Sequence, residues 1–426
     1  MNFFITTLGC KVNQYESRAL DTILRGRGHE SSSVELADAY IINTCAVTAE
    51  SARKSRQAIR RARTRNPSAA IAVCGCFSQI SPSDVAVLEA DLVYGSGDRL
   101  SFVADLERVV EEKIRLSNID DPRTRREFEI LPAGSVDGRT RAMLKIEDGC
   151  NNFCSYCVIP IARGRVRSLP LEDAVREAVQ LQAQGYRELV ITGIELSSYG
   201  RDLPDADLPT LIENLSKAAP KLRLRLGSLD PSVVTREFCQ RLADAGNVCR
   251  HFHLSLQSGC DEILGSMRRR YDTRKFREAV DLLRETFYGC AVAADLIVGF
   301  PGETIEQNGE TMRFIEECDF AAMHIFPYSP RPGTPAASMD GRLSRTEMTE
   351  RVNEVTELAD RMEAEFLASN IGAVLPVLFE TENDGVWVGH SDNYILVCAE
   401  GEDLHGFVKN VKITAVSEKK LIGRIC

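Results

Sequence analysis

Short apolar runs at 3–8, 39–42, 69–73 and 91–94 alternate with segments of helical patterning at 14–25, 49–64 and 83–89. Strands separated by helices predict a parallel sheet covered on both faces, an open doubly wound α/β domain of flavodoxin-like kind over 1–112. The rhythm breaks at 113–141. There Asn118-Ile119-Asp120-Asp121-Pro122, the cluster Arg123, Arg125 and Arg126, then Pro132 and Gly134 predict a linker. It resumes with six strand-like runs, at 142–146, 188–192, 222–226, 251–256, 291–298 and 321–326. Six βα repeats over 142–340 are too few for an eight-fold barrel and predict an open, partial (βα)6 barrel. A charged amphipathic stretch over 341–370 predicts a connecting helix that acts as a spacer. Residues 371–426 hold five short runs, at 374–379, 386–388, 394–398, 406–412 and 420–425, separated by turn-forming polar residues. That spacing predicts a small antiparallel β-barrel.

With 426 residues, 44% hydrophobic and 27% charged, the chain has the composition of an ordinary globular protein, not of a disordered or disulfide-stapled one. The start, MNFFITTLGCKVNQYES, lacks a basic segment followed by an apolar core, and no run approaches the roughly 18 apolar residues of a membrane span. A cytoplasmic location and no membrane partner are expected. The formal net charge of −10 argues, on its face, against a polyanionic partner.

The 14 cysteines change this picture, because in a reducing cytosol they are not expected to pair as disulfides. Cys150-Asn151-Asn152-Phe153-Cys154-Ser155-Tyr156-Cys157 places three thiols in one loop. Random placement would produce that spacing about 0.015 times in such a chain. Three thiolates so placed fit three corners of a [4Fe–4S] cluster and leave one iron open to chelate a small molecule. Structural zinc is the alternative, but it needs four N or S ligands and no fourth lies nearby. Tyr156 would present an aromatic edge beside the open iron, or simply pack.

A second set appears when the first strands are stacked. Cys10, Cys45 and Cys76 each follow a predicted strand, and in a parallel sheet such loops emerge together at the carboxyl edge. They form a second three-thiolate site for a cluster. Cys74 continues the run 70–73 and reads as a buried small hydrophobe. Cys239, Cys249, Cys260, Cys290, Cys318, Cys398 and Cys426 stand singly and read as unliganded thiols.

The Cys150–Cys157 loop opening a partial barrel resembles the radical S-adenosylmethionine (SAM) superfamily. Cys10, Cys45 and Cys76 resemble its methylthiotransferase branch, and Gly389-His390-Ser391-Asp392-Asn393-Tyr394 resembles the RNA-holding TRAM domain of that branch. Thr7-Leu8-Gly9-Cys10-Lys11-Val12-Asn13-Gln14-Tyr15-Glu16-Ser17 is similar to the type that acts on N6-threonylcarbamoyladenosine beside the tRNA anticodon. So are Asp148-Gly149-Cys150-Asn151, Leu226-Gly227-Ser228-Leu229-Asp230-Pro231, 252–259 and 327–335. Types acting on isopentenyladenosine or on a ribosomal-protein side chain are the alternatives. A zinc-stabilised RNA-binding protein without enzymatic activity is a third. Glu195 and Asp230 depart from that type's usual residues.

The resemblance implies two [4Fe–4S] clusters and SAM, which acts both as methyl donor and as source of the radical that activates C2–H of the modified adenine at position 37. The second cluster would deliver the methylated sulfur. It further implies a tRNA anticodon stem-loop, a sulfur source and an electron donor such as flavodoxin or ferredoxin as partners. By their places at strand ends, Gly193, Ser228, Ser255, Gln257 and Gly299 are candidates to hold SAM, although Gly299 could equally just turn the chain. Residues 1–70 carry 11 Lys or Arg against 6 Asp or Glu, so basic charge is concentrated locally. Arg53, Lys54, Arg56, Arg60, Arg61, Arg63 and Arg65 form an acid-free basic helix. Arg123, Arg125, Arg126, Arg139, Arg141, Arg163, Arg165 and Arg167 flank the cysteine loop. Both sets are expected to meet phosphates, a solvated surface being the alternative. Met267-Arg268-Arg269-Arg270 could touch phosphate or substrate.

Overall fold

The computed structural model describes residues 1–134 and 138–426. The chain begins with β1 (Asn2–Thr7), α1 (Lys11–Gly26), β2 (Glu30–Ser31), β3 (Ala39–Thr44), α2 (Ala49–Arg65) and β4 (Ala70–Gly75). It continues with α3 (Cys76–Ile80), α4 (Pro82–Val87), β5 (Leu92–Tyr94), α5 (Arg99–Glu112) and β6 (Leu116–Asn118). The six strands form one parallel sheet in the order β2-β1-β3-β4-β5-β6. Every residue of β3 and β4 is buried, because helices cover both faces and leave no solvent side to select polar residues. Tyr40, Ile42, Ile71 and Val73 meet Ile59 of α2 on one face. Ile41, Ala72 and Leu92 meet Leu20 of α1 and Phe102 of α5 on the other. The strand order reverses between β1 and β3, where open α/β sheets leave a crevice for ligands.

The predicted linker is corrected in part. Leu116–Asn118 extends the sheet by pairing with β5, although it is too short and polar to register as a strand by pattern. Farther on, Leu131 and Ala133 are buried in the core of the next domain, and the Tyr15 hydroxyl donates to the Leu131 carbonyl at 2.5 Å. This segment is therefore tied down on both sides. Residues 135–137 of the predicted linker lie outside the described residues.

The barrel comprises β7 (Arg141–Lys145), β8 (Glu147–Asp148), α6 (Ile159–Arg163), β9 (Arg167–Ser168), α7 (Leu171–Ala183), β10 (Glu188–Thr192), α8 (Leu208–Ala218) and β11 (Arg223–Leu226). Then come β12 (Ser228–Leu229), α9 (Arg236–Ala245), β13 (His251–Gln257), α10 (Asp261–Ser266), α11 (Thr273–Thr286), β14 (Ala291–Val298), α12 (Ile305–Cys318) and β15 (Ala322–Pro327). The parallel wall runs β7-β10-β11 and then β12-β13-β14-β15, parted at Gly227; β7 and β15 do not pair, so it stays open. Its outer face packs Leu189, Ile191, Leu224, Phe252, Leu254 and Leu296 under the helices.

Next, α13 (Arg345–Ser369) begins at a Ser344/Glu347 capping box. It is not a free spacer, as expected from its charge. Val355, Leu358 and Met362, spaced three and four apart, form an apolar stripe buried in the barrel core. Finally β16 (Val374–Asn383), β17 (Val386–Ser391), β18 (Leu396–Glu400), β19 (Val408–Ser417) and β20 (Lys420–Ile425) close a small barrel in the order β16-β17-β18-β20-β19. Four of its pairings are antiparallel and β18 with β20 is parallel. The parallel pair arises because β19 returns to β16, leaving β20 to close against β18.

This small barrel docks on the amino-terminal ends of the large barrel's strands. Glu188 accepts from Arg223 at 2.7 Å and from Arg225 at 2.8 and 2.9 Å. Arg223 donates onward to the His390 carbonyl at 2.9 Å, and Arg225 to those of Ser391 and Asp392 at 3.1 and 3.0 Å. Arg250 meets the Asp392 carboxylate at 2.6 Å, and Tyr394 lies against the Arg225 guanidinium. The backbone of the 390–394 segment is thus turned to the large barrel.

Candidate functional site

Cys10 stands at the N-terminus of α1, directly beyond the loop that follows β1. Cys45 follows β3, and Cys76 opens α3 directly after β4. The three thiols are mutual electrostatic neighbours, Cys10 with Cys45, Cys45 with Cys76 and Cys76 with Cys10. Parallel strand ends at the crevice therefore bring them together. Cys74 points the other way, fully buried among Ala72, Leu92 and Phe102.

The second triad lies in the loop after β8. Gly149 has φ +85°, and a Cβ there would sit 1.9 Å from the Arg165 carbonyl oxygen, so only glycine lets the loop pass beneath 164–165. The loop is pinned across the barrel by Ser155, whose N–H donates to the Met267 carbonyl at 3.0 Å and whose hydroxyl donates to that of Ser266 at 2.8 Å. The electrostatic neighbours of Cys157 include both Cys154 and Cys76. The two triads consequently face one another between the sheet domain and the barrel.

Guanidinium groups attend each triad. Arg163, with 0% exposure, donates to Cys76 Sγ at 3.3 Å, to Glu16 at 2.7 Å and to Asp148 at 3.1 Å. Glu16 also pairs with Arg99 at 3.0 Å and Lys145 at 3.2 Å; Asp148 pairs with Lys145 at 2.8 Å and Arg167 at 3.5 Å. Four buried cations thus share two buried carboxylates, with Glu129 at the rim beside Arg99. Buried cationic excess is costly unless anions lie nearby, and metal-bound thiolates are such anions. In the second triad, Arg269 donates to Cys154 Sγ at 3.3 Å, to Asp230 at 3.0 Å and to Ser255 at 3.0 Å. Arg331, 7% exposed, has a buried Nε without a hydrogen-bond partner and lies in the field of Cys45.

Burial pushes the Cys45 and Cys76 thiols up, and Cys157 up to about 12, so each stays protonated until a metal takes the proton's place. Among the described residues, one group of three His, Cys, Asp or Glu ligand atoms lies within 4.8 Å of one another, and it is His253, Asp295 and His324. Neither thiol triad is that tight. Three thiolates on a single zinc at about 2.3 Å would stand about 3.8 Å apart. The donor sets, their spacing and the cationic surroundings fit iron–sulfur clusters.

The other predicted residues divide. Tyr156 packs on Met267, Phe300 and Tyr328, with Arg269 and Tyr271 as its charged and aromatic neighbours. A Cβ at Gly193 would lie 3.0 Å from Glu147 Oε2. Ser255 accepts from Arg269, Ser228 is half-buried on β12, and Gln257 ends β13 at φ +67° beside a register shift. Gly299 has φ +71°, a left-handed conformation that favours glycine, and a Cβ there would also press on the flexible end of Met348 in α13 at 2.4 Å.

Sequence reading did not single out Glu147 or Glu195 as site residues. Both backbone N–H groups of 194 and 195 donate to Glu147 Oε2, at 2.9 and 2.7 Å, while Oε1 has no partner. Burial raises its carboxyl well above the ordinary range, against the two backbone N–H groups that favour the charged form. Burial and the nearby Asp230 raise Glu195 to about 7. The available signal was charge inside an apolar strand, Leu144-Lys145-Ile146-Glu147-Asp148.

The arginines require correction. Arg163 and Arg167 are buried in the ionic network and cannot meet phosphate. Arg125 is held by Asp120, Gln79 and Ser96, Arg141 by Glu380, and Arg63 by Asp91. Arg53 pairs with Glu50, Arg123 with Asp121, and Arg56 lies over the Phe77 ring. Arg60, Arg61, Arg65, Arg126, Arg139, Arg165 and Arg270 are exposed.

The description of the Radical SAM superfamily matches residues 144–315, and that of an uncharacterized protein family, UPF0004, matches 2–95. The chain is 39% identical to the threonylcarbamoyladenosine tRNA methylthiotransferase MtaB of Bacillus subtilis (strain 168), over 96% of this chain and 92% of that one. Against the MtaB of Thermotoga maritima the identity is 35%, covering 98% and 95%. A tRNA-2-methylthio-N(6)-dimethylallyladenosine synthase of Symbiobacterium thermophilum is 32% identical, covering 99% and 93%. Among solved structures, the radical SAM methyltransferase TsrM of Kitasatospora setae superposes with a TM-score of 0.59 at 18% identity, over 85% of this chain and 89% of that one, a likeness of fold.

Proposed function

The chain belongs to the radical SAM tRNA methylthiotransferases of the threonylcarbamoyladenosine type, and on that footing we propose how its residues divide the work. The reaction is methylthiolation of N6-threonylcarbamoyladenosine in tRNA, at C2 of the adenine at position 37. The observation that carries the division is the facing of the two triads, with Cys157 in the electrostatic field of Cys76. Cys150, Cys154 and Cys157 hold the cluster that binds SAM, and Cys10, Cys45 and Cys76 hold the auxiliary one. When bound, these groups supply a 5′-deoxyadenosyl radical for a C–H bond without useful acidity, and the methylated sulfur that replaces the hydrogen.

The chain's own residues bind, orient and exclude water. Ser255, Arg269, Asp230 and Glu195 give the mouth beside Cys150 and Cys154 donors and acceptors for the charged methionyl end of SAM. Ser228 and Gln257 offer further polar contacts, Gly193 close backbone approach, and Tyr156 an apolar wall. Arg163 and Arg331 hold the auxiliary thiolates from the barrel side. The exposed arginines of α2 and of 126–165 meet the phosphates of the anticodon stem-loop. An electron donor such as flavodoxin or ferredoxin and a sulfur source complete the partners, in the cytoplasm. No helix among the described residues is long and apolar enough to cross a membrane.

The test is anaerobic reconstitution followed by nucleoside analysis. About eight iron atoms per chain are expected, with conversion of threonylcarbamoyladenosine in tRNA to its methylthio form. Cys10→Ala should still cleave SAM and insert no sulfur. Stoichiometric zinc without cluster absorption, or conversion of isopentenyladenosine alone, would refute the assignment.

A further inference from the structure

The inner face of β13, β14 and β15 carries a polar group that neither triad uses. Phe252, Leu254, Leu256, Val292, Ala294 and Leu296 are buried in the helix-covered core. Positions 253, 295, 324 and 326 alternate with that set and face the open interior. His253 Nε2 and His324 Nδ1 both meet Asp295 Oδ1, at 3.0 and 3.1 Å. Asp295 stands directly opposite His324 in the sheet register, and the next inward pair toward the strand ends is Ile297 and Phe326. His324 is 61% exposed and Phe326 42% exposed, so both are open to an occupant. Lys11, exposed beside Cys10, lies in the field of His324 and His251.

Charge decides what that occupant is. The two imidazole hydrogen bonds outweigh the burial of Asp295 and hold its carboxyl down to about 2, and the bond to Asp295 raises His324. One carboxylate is thus surrounded by Lys11 and two imidazoles, one of them favoured in its cationic form. Such a wall suits an anion with hydrogen-bonding capacity. A divalent metal would also match two imidazoles and a carboxylate, but the neighbouring Lys11 ammonium disfavours it.

The substrate supplies a matching group. The threonylcarbamoyl arm leaves the purine at N6 through a urea and ends in a carboxylate and a hydroxyl. Phe326 and His324 are one strand repeat apart, roughly 6.6 Å, and the arm spans about 6 Å when extended. A purine stacked on Phe326 with C2 toward the thiols would send its arm along the strand to His324. On the reading that threonylcarbamoyladenosine is the substrate, we propose that His324, His253 and Lys11 form the receptor for the carboxylate of its arm. In this arrangement Asp295 orients both imidazoles and Phe326 carries the purine. An isopentenyl arm would leave this polar wall unpaired, a strong basis for discrimination.

The test uses holoenzyme and three anticodon stem-loop RNAs, bearing threonylcarbamoyladenosine, its carboxyl methyl ester, or isopentenyladenosine at position 37. The wild type should bind the acid at least tenfold more tightly than the ester, and His324→Ala should bring that ratio to about one. An unchanged ratio in the variant overturns the proposal, as does equal wild-type affinity for acid and ester, which needs no variant to fold. A stoichiometric non-cluster divalent metal lost in His253→Ala also overturns it in favour of a metal site. If the wild type methylthiolates the acid RNA without telling acid from ester, this receptor fails alone. If it methylthiolates only isopentenyladenosine RNA, the substrate assignment fails with it.

Discussion

Replacing Glu16 by Gln removes the charge through which the two triads are joined. The Glu16 carboxylate is 1% exposed and receives Arg163 at 2.7 Å, Arg99 at 3.0 Å and Lys145 at 3.2 Å. Burial alone would raise its carboxyl; Arg163, Arg99 and Lys145 overcome that and hold it far below the carboxylate range. Gln keeps the shape but leaves Arg163 and Lys145 with Asp148 as their one buried anion, and Arg99 with the half-buried Glu129 as its remaining acidic neighbour. Breaking a buried ionic group from one side costs about 3–5 kcal/mol. With an m-value of about 3 kcal/mol per molar urea, the midpoint should fall by about 1–1.7 M. The group's folded value lies below its unfolded one, so its contribution is complete above pH 4.5 or so and is lost as pH falls further. The gap between wild type and variant should hold from pH 8 to about 5.5 and narrow below about 4.5. Urea unfolding followed by circular dichroism across that range, with iron content measured in parallel, makes the check. A midpoint shift under about 0.3 M, or a gap unchanged at acid pH, would refute an electrostatic joint.

Two further outcomes follow from the same geometry. Burial opposes ionisation of Glu188, but Arg225 and Arg223 hold it down to about 2, which corresponds to about 3 kcal/mol at neutral pH. Glu188→Gln should loosen the small C-terminal barrel and speed proteolytic cleavage near 370–373 at pH 7, and wild type should show the same weakness only as pH falls below 4.5 or so; equal cleavage rates at pH 7 would count against it. Arg331→Met removes a guanidinium from the field of Cys45, which disfavours adding an electron to the auxiliary cluster. Its reduction potential should fall while that of the other cluster stays, read by redox titration with electron paramagnetic resonance, and an unmoved potential would refute the contact.

Much of the fold is legible because covered strands are apolar throughout and the cysteines sit where parallel strands end. Cys10, Cys45 and Cys76 could be grouped from three separate positions for that reason alone. What escaped is what depends on pairing across the molecule. Leu116–Asn118 is a strand only because β5 is already in place to receive it. Arg163 and Arg167 read as surface charge because an arginine flanking the cysteine loop looks the same in sequence whether it meets phosphate or Asp148. Glu147 carries no local mark of its raised carboxyl, which burial produces. The helix at 345–369 is legible as an amphipathic helix, but that its stripe of Val355, Leu358 and Met362 packs into the barrel core depends on the barrel being there to receive it.

The ionic network also sets an order of assembly. Glu16 and Arg99 come from the sheet domain, while Lys145, Asp148, Arg163 and Arg167 come from the barrel, so the bonds of Glu16 to Arg163 and to Lys145 form only when the two dock. Docking without thiolates leaves more buried cations than carboxylates, and Arg331 without any partner at its Nε. On the proposed ligand set, Cys45 and Cys76 add negative charge at just these guanidiniums when they are ligated. Whatever binds the docked state and not the separated one stabilises it by mass action. On the proposed ligand set, loading the auxiliary cluster therefore tightens the domain interface, and that interface in turn keeps Cys157 in the field of Cys76.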